Sequence, residues 1–134
     1  MEVVVAASPM GAQHDTGRNH PERPERLGAV LRGISESGLK LTVIEAPPIE
    51  RSDLALVHDP AYIDAIERFC LLGGGALDMD TFASYDTWAA ATTAAGGVLA
   101  VVEELEGRAD ATGFALCRPP GHHALRSRAM GFCL

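Results

Sequence analysis

The segment Gly113-Phe114-Ala115-Leu116-Cys117-Arg118-Pro119-Pro120-Gly121-His122-His123 joins two opposite kinds of sequence. Its first five residues form an uninterrupted apolar run, the pattern of a strand covered on both faces in a parallel sheet. Two prolines then end the strand, because neither can donate to a ladder. Gly121 permits an unusual turn, and two histidines follow. In open α/β sheets, ligands sit outside the carboxyl ends of the strands. The segment therefore predicts a buried strand whose following loop carries chemistry.

Val3–Ala7 is a second run of the same kind at the start of the chain. The stretch from Ser8 to Pro24 is rich in turn formers and reads as a long ordered loop, a type that is disproportionately functional. A helix is expected from Pro24, with Leu27, Val30, Leu31 and Ile34 on one face and Gly38 as its end. Leu41–Ile44 reads as another strand, stopped by Pro47-Pro48. Ser52-Asp53 caps a short helical turn, and Asp59-Pro60 opens a helix facing inward through Tyr62, Ile63, Ile66 and Cys70. Gly73–Gly75 breaks it, and residues 73–83 are read as a loop.

A long helix is predicted from about Ser84 to Glu106, with Trp88, Ala91, Ala95, Leu99, Val102 and Leu105 as its buried stripe. Gly96-Gly97 within it costs about 1 kcal/mol per glycine relative to alanine, which implies close approach of another backbone. The alternation of strands and helices gives an α/β layered pattern with a parallel sheet. No internal repeat or domain boundary interrupts it. The loops after the first and third strands fall at the same sheet edge, and they hold four of the five histidines: His14, His20, His122 and His123.

The 134 residues suffice for one compact unit. With a formal net charge of −7, the chain lacks the basic footprint of a nucleic-acid binder, and nucleic acid is not an expected partner. No segment is apolar and long enough to span a bilayer, so no membrane is expected either. Met1–Ala7 carries no basic leader. Cys70, Cys117 and Cys133 are odd in number and show no CxxC spacing, which argues for a reducing, cytoplasmic setting. Oligomeric state is not legible.

Histidine titrates nearest neutral pH, so a rigid loop presenting two imidazoles suits positioned proton transfer. Adjacent histidines diverge too much to share one metal easily. The alternative is two ordinary loop histidines. A metal module built from His14, His20, His122 and His123 matches no structural zinc spacing.

Arg118-Pro119-Pro120-Gly121-His122-His123-Ala124, followed by Met130-Gly131-Phe132-Cys133, resembles the histone deacetylase superfamily, in particular its class II-like and bacterial acetylpolyamine and acetoin-utilisation branches. Three further blocks agree in order: His14-Asp15-Thr16-Gly17 with His20-Pro21-Glu22-Arg23-Pro24-Glu25-Arg26-Leu27; Val57-His58-Asp59-Pro60-Ala61-Tyr62-Ile63; and Leu77-Asp78-Met79-Asp80-Thr81. The resemblance spans essentially the whole chain. It implies a three-layer α-β-α, arginase/deacetylase-like fold of which residues 1–134 are the N-terminal portion of a single domain.

The same resemblance implies a zinc-dependent amidohydrolase acting on acetyl-lysine or acetylated amines and polyamines. His123 would serve as general base and then acid, with His122 as its electrostatic partner. Phe132 would line the tunnel for the acetylated chain, or else be a core phenylalanine. Gly131 would let the backbone pass close to substrate. Asp80 would bind substrate at the rim, or else belong to a helix start. Arg26 would stand beside an inner cavity, or else be an ion-paired helix arginine. His14 and His20 are expected to organise loops, and His58 to be structural.

The zinc ligands of the family, an Asp-x-His motif and a later aspartate, follow the Gly-Phe-Cys block, and no Asp-x-His occurs in residues 1–134. No metal ligand is therefore assigned. The expectation is a truncated, inactive piece of a deacetylase. The alternative is a short non-catalytic relative that works by binding.

Overall fold

The computed structural model describes residues 1–134. In chain order its elements are β1 (Glu2–Ala7), α1 (Met10–Gln13), α2 (Glu25–Glu36), β2 (Lys40–Glu45), α3 (Arg51–Val57), α4 (Pro60–Leu71), β3 (Gly74–Ala76), β4 (Phe82–Ser84), α5 (Thr87–Leu105) and β5 (Ala111–Leu116). β1, β2 and β5 form a parallel sheet in the order β2-β1-β5. The central strand is the most apolar, and Val4 and Val5 have no exposed surface. Full burial of such a side chain stabilises the fold by about 1.5–3 kcal/mol.

Alternate residues of β1 face opposite layers. Val3 and Val5 pack with Leu116 beneath Leu27 and Ile34 of α2. Ala6 packs with Ala46 and Val101 on the α5 side. The architecture is three layers, helix–sheet–helix, as the sequence implies. Register places Ala7 of β1 beside Leu116 of β5. The loops that follow these two strands therefore leave the sheet side by side.

The buried stripe of α5 differs from the predicted one. Ala90, Thr93, Ala94, Gly97 and Val101 face inward, whereas Leu99 is 40% and Val102 60% exposed. Trp88 and Leu105 still pack against neighbouring clusters. Backbone proximity explains the difference. A Cβ on Gly96 would overlap the carbonyl oxygen of Pro47, and one on Gly97 would come within 2.9 Å of Ala46 Cβ. Ile49 N–H also donates to the Thr92 carbonyl at 3.0 Å. Only small residues fit this seam, so the large apolar ones turn sideways.

Three other expectations need correction. The face of α2 is only half covered, with Val30 and Leu31 exposed. Phe114, read as part of a buried strand, is exposed on β5, which pairs only with β1. Residues 73–83 are not simply a loop: β3 and β4 form a short antiparallel hairpin. Gly74, at φ +73°, meets the Ala83 carbonyl so closely that no side chain fits.

Gly96→Ala should therefore destabilise the chain by about 1–3 kcal/mol through overpacking. Gly33→Ala, in open space on α2, should stabilise it by about 0.5–1 kcal/mol. Urea denaturation of the two variants measures both signs, and equal shifts would contradict the close seam.

Candidate functional site

The loop after β5 opens with Arg118, whose side chain is 2% exposed. Its guanidinium forms a fork with the equally buried Glu22: Nε donates to Oε1 at 2.5 Å and Nη2 to Oε2 at 2.8 Å. Nη1 donates to the Gly11 carbonyl at 2.6 Å. Arg26 Nη1 reaches Glu22 Oε1 at 3.4 Å from the exposed side. Planar bidentate pairing is the geometry in which arginine–carboxylate attraction best offsets desolvation.

His14 extends this network. It is fully buried, its Nδ1 shares a hydrogen bond with Thr87 Oγ1 at 2.7 Å, and its Nε2 lies 3.5 Å from Glu22 Oε2 without bonding it. Burial first, and the Arg118 charge second, push its pKa down to about 4. His14 is thus a neutral imidazole tying the first loop to the start of α5. The loop-organising expectation fits this geometry.

His20 plays a similar part at the rim. Its Nε2 lies 3.0 Å from the Asp80 carbonyl, which can only accept, so that nitrogen carries the proton. Nδ1 lies between the Glu22 amide at 3.1 Å and the Glu22 carbonyl at 3.0 Å. The ring stands edge-on to Phe82 at 5.7 Å and to Phe132 at 4.8 Å. Asp80 itself sits on the hairpin tip, where Asp78 Oδ1 accepts the amides of Asp80 and Thr81 at 3.0 and 2.7 Å. These hydrogen bonds, the Asp80 amide foremost, hold the Asp78 carboxyl below its usual range.

The rings of His122 and His123 lie 4.3 Å apart, and both are exposed. Gly131, at φ +60°, packs on His123: a Cβ there would come within 3.1 Å of His123 Cβ and Cδ2. Phe132 also has a positive φ, +70°, and its amide donates to Thr81 Oγ1 at 3.1 Å. Such a conformation is uncommon for a non-glycine residue, and here the rim contacts fix it.

The predicted site residues thus fall into two neighbouring groups. Phe132 and Asp80 meet His20 at the rim, and Gly131, next to Phe132, packs on His123. His122 and Arg26 line a cavity of about 500 Å³ together with Tyr62 and Trp88. The Tyr62 hydroxyl is buried without a hydrogen-bond partner, and burial pushes its pKa up to about 12. His58 lines the same cavity and holds the Leu125 carbonyl at 3.1 Å. Sequence reading assigned no role to Glu22 and placed Tyr62 only on a helix face. The position of Glu22 two residues after His20 was the available signal, but its burial depends on a partner 96 residues away.

No group of three or more His, Cys, Asp or Glu side chains in residues 1–134 is arranged to hold a metal ion. The residues present do not compose a zinc site, so no chemistry is routed through one here. No helix is long and apolar enough to cross a membrane.

A histidine-bearing loop at the carboxyl edge of a three-layer parallel sheet defines the class, an α/β protein of deacetylase-like fold. The Histone deacetylase domain family matches residues 20–134, and the chain belongs to that family. It is 35% identical over 132 residues to a probable deacetylase of Methanothermobacter thermautotrophicus, covering 98% of this chain and 39% of that protein. It is 38% identical over 121 residues to the mouse (Mus musculus) polyamine deacetylase HDAC10, covering 84% of this chain and 18% of that protein. The crystal structure of the HDA15 HD domain superposes with a TM-score of 0.86 at 33% identity, covering 99% of this chain and 40% of that one. The chain thus spans about two fifths of the length of the first of these relatives.

The His14 pKa carries a stability consequence. An unfolded histidine takes up its proton near pH 6.5, whereas folded His14 resists until about pH 4. As pH falls from 6.5 to 4, protons favour the unfolded chain, and stability should drop by about 3 kcal/mol. His14→Gln should remove that component of the slope. Urea midpoints between pH 7 and pH 4 measure it, and equal slopes in both proteins would show that His14 charges freely in the fold.

Proposed function

We propose that residues 1–134 form the proton-transfer and rim portion of a deacetylase domain that hydrolyses acetyl-lysine or small acetylated amines, polyamines included. The observation that carries this reading is the juxtaposition of His122 and His123 at 4.3 Å with Gly131 against His123. Phe132 and Asp80 gather beside them around one ring, His20.

His123, nearest the rim, acts as the general base. It takes a proton from water as the water oxygen adds to the acetamide carbonyl carbon. His122 steadies the resulting imidazolium. The C–N bond then breaks as the same proton passes to the departing amine nitrogen, leaving acetate and the free amine. Positioned acid–base catalysis of this kind contributes about 10²–10⁴-fold. Phe132 and the rim admit a narrow alkyl chain, Asp80 holds the substrate outside, and Arg26 lies beside the cavity on the far side of His122.

The resemblance also implies zinc. Its ligands would belong to the part of the domain outside residues 1–134, and the 134-residue chain alone is proposed to be inactive. Three unpaired cysteines support a reducing, cytoplasmic setting. The apolar cavity beneath His122 supports a second reading, a short relative that binds an acylated ligand or a protein without turning it over.

The deciding experiment is to read the source gene past the codon for Leu134 and express the whole frame. An Asp-x-His motif soon after Leu134, with deacetylation of an acetyl-lysine or acetylpolyamine substrate, is the expected result. A stop codon there would favour the binding reading. In the active product, His123→Ala should cut turnover by about 10²–10⁴-fold and leave zinc near one per chain. Loss of the zinc would assign His123 a different role.

A further inference from the structure

Glu22 and Arg118 are the two fully charged side chains buried in this chain, and the chemistry just proposed uses neither. We propose that Glu22 is a positioning residue for His122 and His123, acting through Arg118, and that His20 holds the far end of the same loop. The word positioning rests on the proposed function; the clamp itself rests on geometry alone.

The imidazole of His123 lies against Gly131, with the His122 ring centroid 4.3 Å away. The placement of both rings therefore depends on the backbone that carries them. That backbone leaves the sheet at Arg118 and comes back to the rim at Gly131-Phe132. At its root, Arg118 is fixed by the fork to Glu22 and by the Gly11 carbonyl. Gly11 is also close-packed there, since a Cβ on it would lie 3.3 Å from the Arg118 amide nitrogen. At its return, Phe132 is fixed by Thr81 and by the His20 ring.

One contact of each anchor comes from a single tripeptide, His20-Pro21-Glu22. Pro21 restricts its backbone, and one internal contact and one from Thr16 brace it further. The Glu22 amide donates to His20 Nδ1, and Thr16 Oγ1 donates to the Glu22 carbonyl at 2.5 Å. One stiff unit thus sets the separation between root and return, and with it the distance from the imidazoles to the rim. A pair that served stability alone would not need its second anchor on the rim.

The test uses the 134-residue chain. Glu22→Met with Arg118→Met removes both charges together, so no unpaired charge is left buried. The main-chain contacts of residue 22 survive the change. Amide order parameters at His122 and His123 should fall from about 0.85 to below about 0.6, with β1 unchanged. The same order at both histidines in variant and wild type would overturn the proposal. Should the double variant fail to fold, Arg118→Lys keeps the charge and replaces the fork by a point contact. It should fold with a partial loss of order at the two histidines, and wild-type order there would overturn the proposal equally.

In an active full-frame product, the double variant should lose about 10²-fold in kcat, the scale of a small misplacement, with KM nearly unchanged. An unchanged kcat would overturn the proposal. Wild-type product without deacetylase activity would count against the functional reading alone, because the order parameters do not depend on it.

Discussion

The buried fork between Arg118 and Glu22 is the constraint on which the carboxyl edge of this sheet depends. Two full charges are held at 2% exposure, and desolvating each costs several kcal/mol. The pair persists because nearly every donor and acceptor is used: Arg118 meets both carboxylate oxygens and the Gly11 carbonyl, and Arg26 approaches Glu22 from outside. Removing one partner alone typically costs about 3–5 kcal/mol, since the other charge stays buried. Such a pair contributes little net stability against an apolar alternative. Its gain is geometric, because a bidentate fork admits one relative placement of the two loops.

The sheet makes that fork possible. Parallel register brings Ala7 and Leu116 together, so the first and last loops emerge as neighbours although nearly the whole chain separates them. Small residues on α5 bring the helix close against β1 and the segment after β2. Thr87, at the start of that helix, then reaches His14. Packing density in the layer below thus sets where the polar network above can close. The same closeness keeps His14 dry and neutral.

Much of this was legible from local pattern. Apolar runs located β1 and β5, prolines and glycines marked the helix ends, and the paired glycines of α5 announced a tight seam. The histidine loop was legible because prolines flanking adjacent imidazoles form an unusual local arrangement. What escaped was non-local. Periodicity placed Leu99 and Val102 inside, since it registers hydrophobicity and not the narrow gap that admits only alanine, threonine and glycine. The β3–β4 hairpin escaped because its strands are three residues long and glycine-rich. Glu22 read as one acid among eighteen; nothing near it indicates that it is buried. The burial of Phe114 was overestimated for the opposite reason, because an apolar run states what a strand tolerates on both faces and not what covers it.

The rim shows how these levels join. Asp80, His20, Phe132 and His123 come from three separate stretches of chain, and no two adjacent elements of regular structure carry them all. A parallel sheet can fix only where its loops begin. Beyond that point each loop must be held by others, and here the holding groups are backbone amides and carbonyls read by His20, Thr81 and Asp78. Phe132 keeps a left-handed backbone only because its amide and its ring are both engaged. The energy that maintains that unfavourable conformation is therefore supplied by the same contacts that place Gly131 against His123. Strain and position at this edge have one cause, and it lies in the first loop and the β3–β4 hairpin rather than in the segment that carries the histidines.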